Sequence, residues 1–375
     1  MKKIAFYIES WAGGGAEKQL VDLVNHLDYS EYDVTIISIF KNNIYASNAV
    51  KLDLQISDQV KLRYLVDNNN KLVYRLFNHV YAHFNKNLIY KILIKEKYDY
   101  EIAYYEGMPT EFVSNSTNLD SIKLAWLHTD NRRLYKNANA SVLNKAKSIY
   151  SKYNITVAVS KTVEQSFKTY FPQMNTCTII NGLDLETIDR KYDEDCPYSY
   201  FKELTLLSIG RFTHVKGYKR LLSALGKLYD EGYQFKLMLI GDGEERKELQ
   251  DYIDTHNLHR SVILTGAQNN PFKYMKIADY YVCSSYYEGF TLTVAESIAC
   301  GLPVLGTECC KNVFGDFACG VICDNSEDAI YEMIKGALNR DYDNNSFKVE
   351  CMKRRTDLSI EKTADNLDKL LRGNL

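Results

Sequence analysis

No stretch of this 375-residue chain is apolar for long enough to cross a bilayer. The run from Ile4 to Ile8 is too short for a signal-peptide core and reads as a first strand. A CxxC pair is missing too, as is any Cys/His spacing suited to zinc. The nine cysteines are odd in number, scattered and mostly set in apolar segments, which fits reduced, buried thiols in a cytoplasmic protein; no metal is expected. Charge of one sign is also lacking, with a formal net of −2, so no nucleic acid is expected as a partner. The imbalance is local: residues 1–180 hold 22 basic and 17 acidic side chains, the remainder 24 and 31. A basic first half suits an anionic partner such as a lipid surface, or is simply a solvated face. No repeat of solenoid length occurs. Two glycine-rich turns each lack the glycine that a G-x-G-x-x-G dinucleotide fingerprint needs: Lys18 stands in its place in the first, and the third glycine is absent from Gly241-Asp242-Gly243-Glu244. A nicotinamide-dependent oxidoreductase is thereby disfavoured.

What is present is strands alternating with amphipathic helices through both halves, the pattern of two doubly wound α/β layers. The length suits two domains, and 46% hydrophobic with 25% charged residues suits a soluble globular fold. The expected boundaries are 1–185 for the first domain, 186–203 for an acidic, proline-containing linker, 204–355 for the second domain and 356–375 for a terminal helix.

The most informative stretch is Ser284 to Glu296. A β-prone run, Tyr280 to Cys283, leads into a loop turning at Gly289, and Thr293 to Cys300 reads as a helix stopped by Gly301 and Pro303. A helix start of this kind offers unpaired N–H groups to an anion such as phosphate. Glu288 before it and Glu296 in its first turns would repel a diphosphate, so each is better placed to accept hydrogen bonds from sugar hydroxyls on either side of it. The ligand so described is a nucleotide sugar.

Glu288 and Glu296 with seven residues between them, set in Tyr-Glu-Gly-Phe and followed by Ala299-Cys300-Gly301-Leu302-Pro303-Val304, resemble the E-x7-E signature of retaining glycosyltransferases of family 4. That resemblance implies the GT-B fold, two Rossmann-like doubly wound domains facing across a cleft, with the last helix crossing back to the first domain. Other segments extend it over nearly the whole chain. Gly13-Gly14-Gly15-Ala16-Glu17 is similar to the family's Gly-Gly-Ala-Glu loop, which puts Gly14 and Gly15 over the donor phosphates. Trp126-Leu127-His128-Thr129-Asp130 is similar to the segment whose histidine touches the donor sugar, which implies that role for His128. Asn181-Gly182-Leu183-Asp184 is similar to the turn closing the first domain.

In the second half, Gly210, Arg211 and Lys216 match the turn whose cations clamp the diphosphate, Gly241 the Gly-x-Gly loop, and Thr265 and Gly266 the nucleobase site. The resemblance gives Glu288 the hydroxyls of the donor sugar, Glu296 the ribose, and the backbone of Gly289, Phe290, Thr291 and Leu292 the phosphates. Glu106 and Asp130, at strand ends, are either acceptor contacts or helix caps. Asp193-Glu194-Asp195 and Asp341-Tyr342-Asp343 fit a bare D-x-D pattern, but neither follows a strand convincingly and neither is assigned a metal.

The implied reaction is transfer of a sugar, with retention and without a metal cofactor, from a nucleotide-sugar donor, UDP-linked by preference, to a glycan or polyprenyl-diphosphate-linked acceptor of bacterial surface polysaccharide. The competing readings are a nucleotide-sugar epimerase and a non-catalytic partner subunit. The segment Lys71 to Lys97 sets Lys71, Arg75, Lys86, Lys91, Lys95 and Lys97 against one acid, Glu96, among many apolar residues. Such a basic amphipathic stretch either makes peripheral contact with an anionic membrane or packs on the sheet with a wet basic face.

Overall fold

The computed structural model describes residues 1–11, 14–41, 55–67 and 70–374. Gly13 of the glycine-rich turn lies outside them. The chain divides into two compact units, 1–182 with 360–375, and 183–359.

The first unit is built on a parallel sheet of β1 (Lys2–Ile8), β2 (Tyr32–Phe40), β3 (Lys61–Val66), β4 (Tyr100–Ala103), β5 (Ile122–Leu127), β6 (Ile155–Ala158) and β7 (Thr176–Thr178), in the order β3-β2-β1-β4-β5-β6-β7. Its central strands are buried on both faces because helices cover both: Ile4, Phe6 and Ile36 on one face and Ala5, Tyr7 and Ile37 on the other are fully buried. One carboxylate is embedded here as well. Glu101 of β4 is satisfied by the hydroxyls of Tyr7, Tyr90, Ser116 and Ser121, so burial leaves it hydrogen-bonded.

The helix Ile360–Leu371 belongs to this unit. Leu367 and Leu371 are buried, Thr363 Oγ1 donates to the Ile180 carbonyl at 3.0 Å, and Tyr32 donates to Asp368 at 2.5 Å.

The second unit has a parallel sheet of β8 (Leu204–Ile209), β9 (Phe235–Ile240), β10 (Val262–Gly266), β11 (Tyr280–Cys283), β12 (Val304–Thr307) and β13 (Gly320–Cys323), in the order β10-β9-β8-β11-β12-β13. The same logic repeats in both sheets. The order reverses between β1 and β4 in one and between β8 and β11 in the other, and a crevice for ligands opens at such a reversal, beyond the carboxyl ends of the strands.

The segment expected as a linker is structured over its first half. Residues Leu185–Tyr192 form a helix, capped by Asp184, whose side chain accepts from the Thr187 N–H at 2.9 Å. Ile188 is buried, Arg355 pairs with Asp189 at 2.6 Å and Asn270 donates to the Lys191 carbonyl, so this helix is part of the second unit. Residues 193–203 carry no helix or strand. Of the D-x-D sequences, Asp343 caps the helix Asn344–Arg355 by accepting from the Ser346 N–H.

Candidate functional site

In the second unit the loops after β8 and β11 meet at the reversal. The β8 loop ends in a short turn, His214–Lys216, followed by Gly217. Lys216 Nζ lies 2.6 Å from Glu288 Oε1, and Ser285 Oγ donates to the same oxygen at 3.0 Å. Burial pulls the Lys216 ammonium down, but the Glu288 charge and hydrogen bond outweigh it and the net shift is upward, so the lysine stays charged.

The backbone is fitted closely around this pair. Gly217 has φ 66°, and a Cβ there would stand 2.2 Å from the Ser284 carbonyl oxygen, so only glycine allows the two loops to touch. Arg220, buried in the helix Tyr218–Asp230, donates to that same carbonyl from Nε at 2.9 Å and Nη2 at 2.6 Å. Its guanidinium lies 3.8 Å from the centre of the Tyr286 ring, which also stacks on His214 at 5.0 Å. Tyr286 donates its N–H to the Val215 carbonyl and accepts from Asn325. Residues 284–286 are thus held from several directions before the chain reaches Glu288.

Beyond Glu288, Gly289 and Phe290, the helix Leu292–Ala299 begins at Thr291, whose side chain makes no cap bond. Thr291 Oγ1 is buried and, among the described residues, has no hydrogen-bond partner. Glu296 is buried in the second turn of the helix. An unused hydroxyl beside the open N–H groups of a helix start is what an oxyanion would complete.

The neighbouring loops are tied to one another. Gly210 donates to the Ile240 carbonyl, Gly241 to the Gly266 carbonyl and Phe212 to the Asp242 carbonyl. Thr265 and Gly266 close β10, with Arg246 Nη1 buried, unpartnered among the described residues and 3.9 Å from where a Gly266 Cβ would stand. Arg211 is exposed and, among the described residues, forms no ion pair with Glu288. The structure therefore joins Lys216 to Glu288 rather than Lys216 to Arg211.

The first unit has a polar cluster at its own reversal. Glu106, after β4, accepts the N–H groups of His128 and Thr129 at 2.8 Å each and so fixes the loop after β5. Burial pushes its carboxyl up to about 7, against the pull of those donors. Burial also pushes His128 down to about 4, so its imidazole is neutral near pH 7. The ring packs between Tyr104 and Tyr105, with Nε2 buried and unpartnered among the described residues.

Asp130 serves as a cap. It accepts from the Arg132 N–H at the start of Asn131–Leu134 and pairs with the Arg132 guanidinium at 2.5 Å. The helix Gly15–Asn25 starts at Gly14, and the Glu17 carboxylate folds back on it, 2.6 Å from where a Gly14 Cβ would stand.

The sequence reading missed Arg220, Tyr286 and Arg246. A signal for Arg220 existed: it falls on the buried face of an amphipathic helix, where a charge requires a partner.

The two parallel, doubly wound sheets are those of the GT-B fold, and the family match and full-length relative below make the chain a glycosyltransferase. Residues 199–351 match the model of the family of glycosyl transferases group 1. Over its full length the chain is 26% identical to an N-acetylgalactosamine-N,N'-diacetylbacillosaminyl-diphospho-undecaprenol 4-alpha-N-acetylgalactosaminyltransferase of Campylobacter jejuni, 100% of each being covered. Among solved structures it is similar to a glycosyltransferase from Rickettsia africae, with a TM-score of 0.76 at 17% identity over 100% of this chain and 99% of that one. It is also similar to Anabaena HepE in complex with UDP and glucose, with a TM-score of 0.72 at 16% identity over 100% of both.

Proposed function

We propose that the chain is a retaining glycosyltransferase that moves a sugar from a UDP-sugar to a polyprenyl-diphosphate-linked glycan, in assembly of a bacterial surface polysaccharide. The observation that carries this reading is the Lys216–Glu288 pair, held by Ser285 and followed by the helix that buries Glu296. Lys216 turns from Glu288 to the donor diphosphate, and the freed Glu288 carboxylate takes hydroxyls of the donor sugar. Arg211, exposed nearby in sequence, adds a second cation, and the N–H groups at Gly289 to Leu292 with Thr291 Oγ1 complete the phosphate site. Glu296 receives the ribose.

As the bond from the anomeric carbon to the phosphate oxygen breaks, the acceptor oxygen bonds to that carbon on the same face. The departing phosphate oxygen takes the acceptor proton, so the protein supplies orientation and positive charge rather than a base. With two cationic side chains for the diphosphate, the reaction runs without a metal. The UDP seen with HepE supports the donor, and the name of the Campylobacter jejuni relative supports a lipid-linked acceptor.

A membrane-borne acceptor also gives a reason for the surface of Lys71–His83 and Lys86–Leu93. One side of these helices packs through Tyr81 and Tyr90, yet Leu72, Leu76, Phe84, Leu88 and Ile92 are 56–70% exposed beside Lys71, Arg75, Lys91 and Lys95. Packing through Tyr81 and Tyr90 leaves these apolar side chains uncovered among the cations. We place this face on the anionic surface of the membrane.

The test is hydrolysis of UDP-, GDP- and ADP-sugars by the purified protein without acceptor, with Glu288→Ala and EDTA arms. Slow release of UDP from one sugar, abolished by the substitution and indifferent to EDTA, is expected. Failure to bind or turn over any donor points to a non-catalytic partner subunit, and turnover without an acceptor to an isomerised nucleotide sugar points to an epimerase.

A further inference from the structure

Cysteines far apart in sequence converge beside the second unit's site. Cys283 ends β11, the parallel register sets it against Gly306 of β12, and the chain then turns through Glu308–Cys310. The Sγ atoms of Cys283, Cys309 and Cys310 all lie within 4.8 Å of one another, with Cys283 and Cys309 4.0 Å apart. The packing depends on Gly306, where a Cβ would come within 2.5 Å of Cys310 Sγ.

Two linkages are open to such thiols. A disulfide needs a sulfur separation of about 2 Å. Thiolates sharing one cation at bonds of about 2.3 Å stand about 3.8–4.0 Å apart by simple geometry. The 4.0 Å between Cys283 and Cys309 excludes the first and fits the second, as it fits the S–H···S hydrogen bond that the empty site makes between two thiols. An all-sulfur donor set selects a soft cation over magnesium or calcium.

We propose that Cys283, Cys309 and Cys310 form a three-thiolate site for one soft d10 cation, zinc(II) or copper(I). Binding releases three thiol protons to solvent and leaves a site charge of −1 with zinc or −2 with copper(I). Ser285 wires the site to its neighbour: its carbonyl accepts from Thr307 Oγ1 at 2.7 Å and its hydroxyl binds Glu288. Resting on the donor site proposed above, the loaded cluster holds Lys216 by charge and weakens its grip on a diphosphate.

The experiment is anaerobic titration of the reduced, full-length protein with cadmium(II), read by the thiolate-to-cadmium charge-transfer absorption, followed by displacement with zinc(II) and, separately, copper(I). One cation per chain is expected, with the absorption lost in Cys309→Ser and Cys309→Ala and kept in Cys351→Ser. Circular dichroism checks the fold, and half-buried Cys309 is the mildest of the three positions to change. The arm that displaces cadmium at the lower concentration names the cation.

No absorption, absorption unchanged in both Cys309 variants, or a Cys283–Cys309 disulfide in the purified protein would each overturn the site. UDP affinity is measured separately and should fall about tenfold on loading, the scale of one weakened charge contact. Cation binding with unchanged UDP affinity would overturn the coupling alone, and absence of UDP binding altogether would count against the donor site and not against the cation.

Discussion

Replacing Glu106 with Gln should make the first unit more stable than the wild type in mild alkali and leave it nearly unchanged in mild acid. The wild-type carboxyl titrates near 7 when folded against 4.5 when free, because burial outweighs the two N–H donors of His128 and Thr129. A folded value above the unfolded one contributes stability that is whole below about pH 4.5 and is lost as pH rises to about 7. At ~1.4 kcal/mol per tenfold in proton affinity this is about 3 kcal/mol, an upper figure since Glu106 is only half-buried. Glutamine keeps an oxygen for both N–H groups and never ionises. The variant should therefore lie within about 1 kcal/mol of wild type at pH 5 and exceed it by about 2–3 kcal/mol at pH 8.5.

Tryptophan fluorescence during urea unfolding isolates the first unit. The chain's two tryptophans, Trp11 and Trp126, are both buried there. His128 contributes in the opposite sense, since its depressed value means stability that is whole above about pH 6.5 and lost as pH falls to about 4. That contribution is common to both proteins and drops out of their difference. A gap equal at both pH values, or one turning against the variant as pH rises, would show that the paired N–H groups hold Glu106 as an anion, and the reasoning would fail.

Arg220→Lys keeps the charge but replaces a two-pronged hold on the Ser284 carbonyl with a single donor and removes the stack on Tyr286, so kcat/KM for donor turnover should fall about 10–100-fold while the melting transition moves little. Unchanged kinetics would show that residues 284–286 need no such anchor. Leu88→Ser with Ile92→Ser should lower partition onto vesicles rich in phosphatidylglycerol at least about tenfold, each exposed side chain contributing about 1–2 kcal/mol when inserted. Flotation equal to wild type would mean that this face does not enter the membrane.

The alternation of strand and helix, with the loop and glutamates at the end of β11, could be read directly because each rests on local pattern: apolar runs, a turn, a helix start. The helix Leu185–Tyr192 had a signal as well, Asp184 three residues before Thr187 with Ile188 following, but an acidic cluster and a proline downstream weighed more heavily. Asp130 was legible as a cap or a ligand, and the structure shows the cap through its contacts with Arg132.

The rest depends on which strands are neighbours, which one sequence does not state. In a parallel sheet every connecting loop at the carboxyl edge is a candidate for the site, so the sequence could nominate Lys216 and Glu288 separately without joining them. They meet because β8 lies beside β11, across 72 residues of chain. The same adjacency brings Arg220 to the Ser284 carbonyl, 64 residues away, and explains a buried charge that its own helix leaves unaccounted for. One strand further, β12 beside β11 gathers Cys283, Cys309 and Cys310, which in sequence have no metal-binding spacing. Strand order thus turns separate local signals into a site, and it gathers the three thiols of Cys283, Cys309 and Cys310 where β12 lies beside β11, the strand that leads to Glu288.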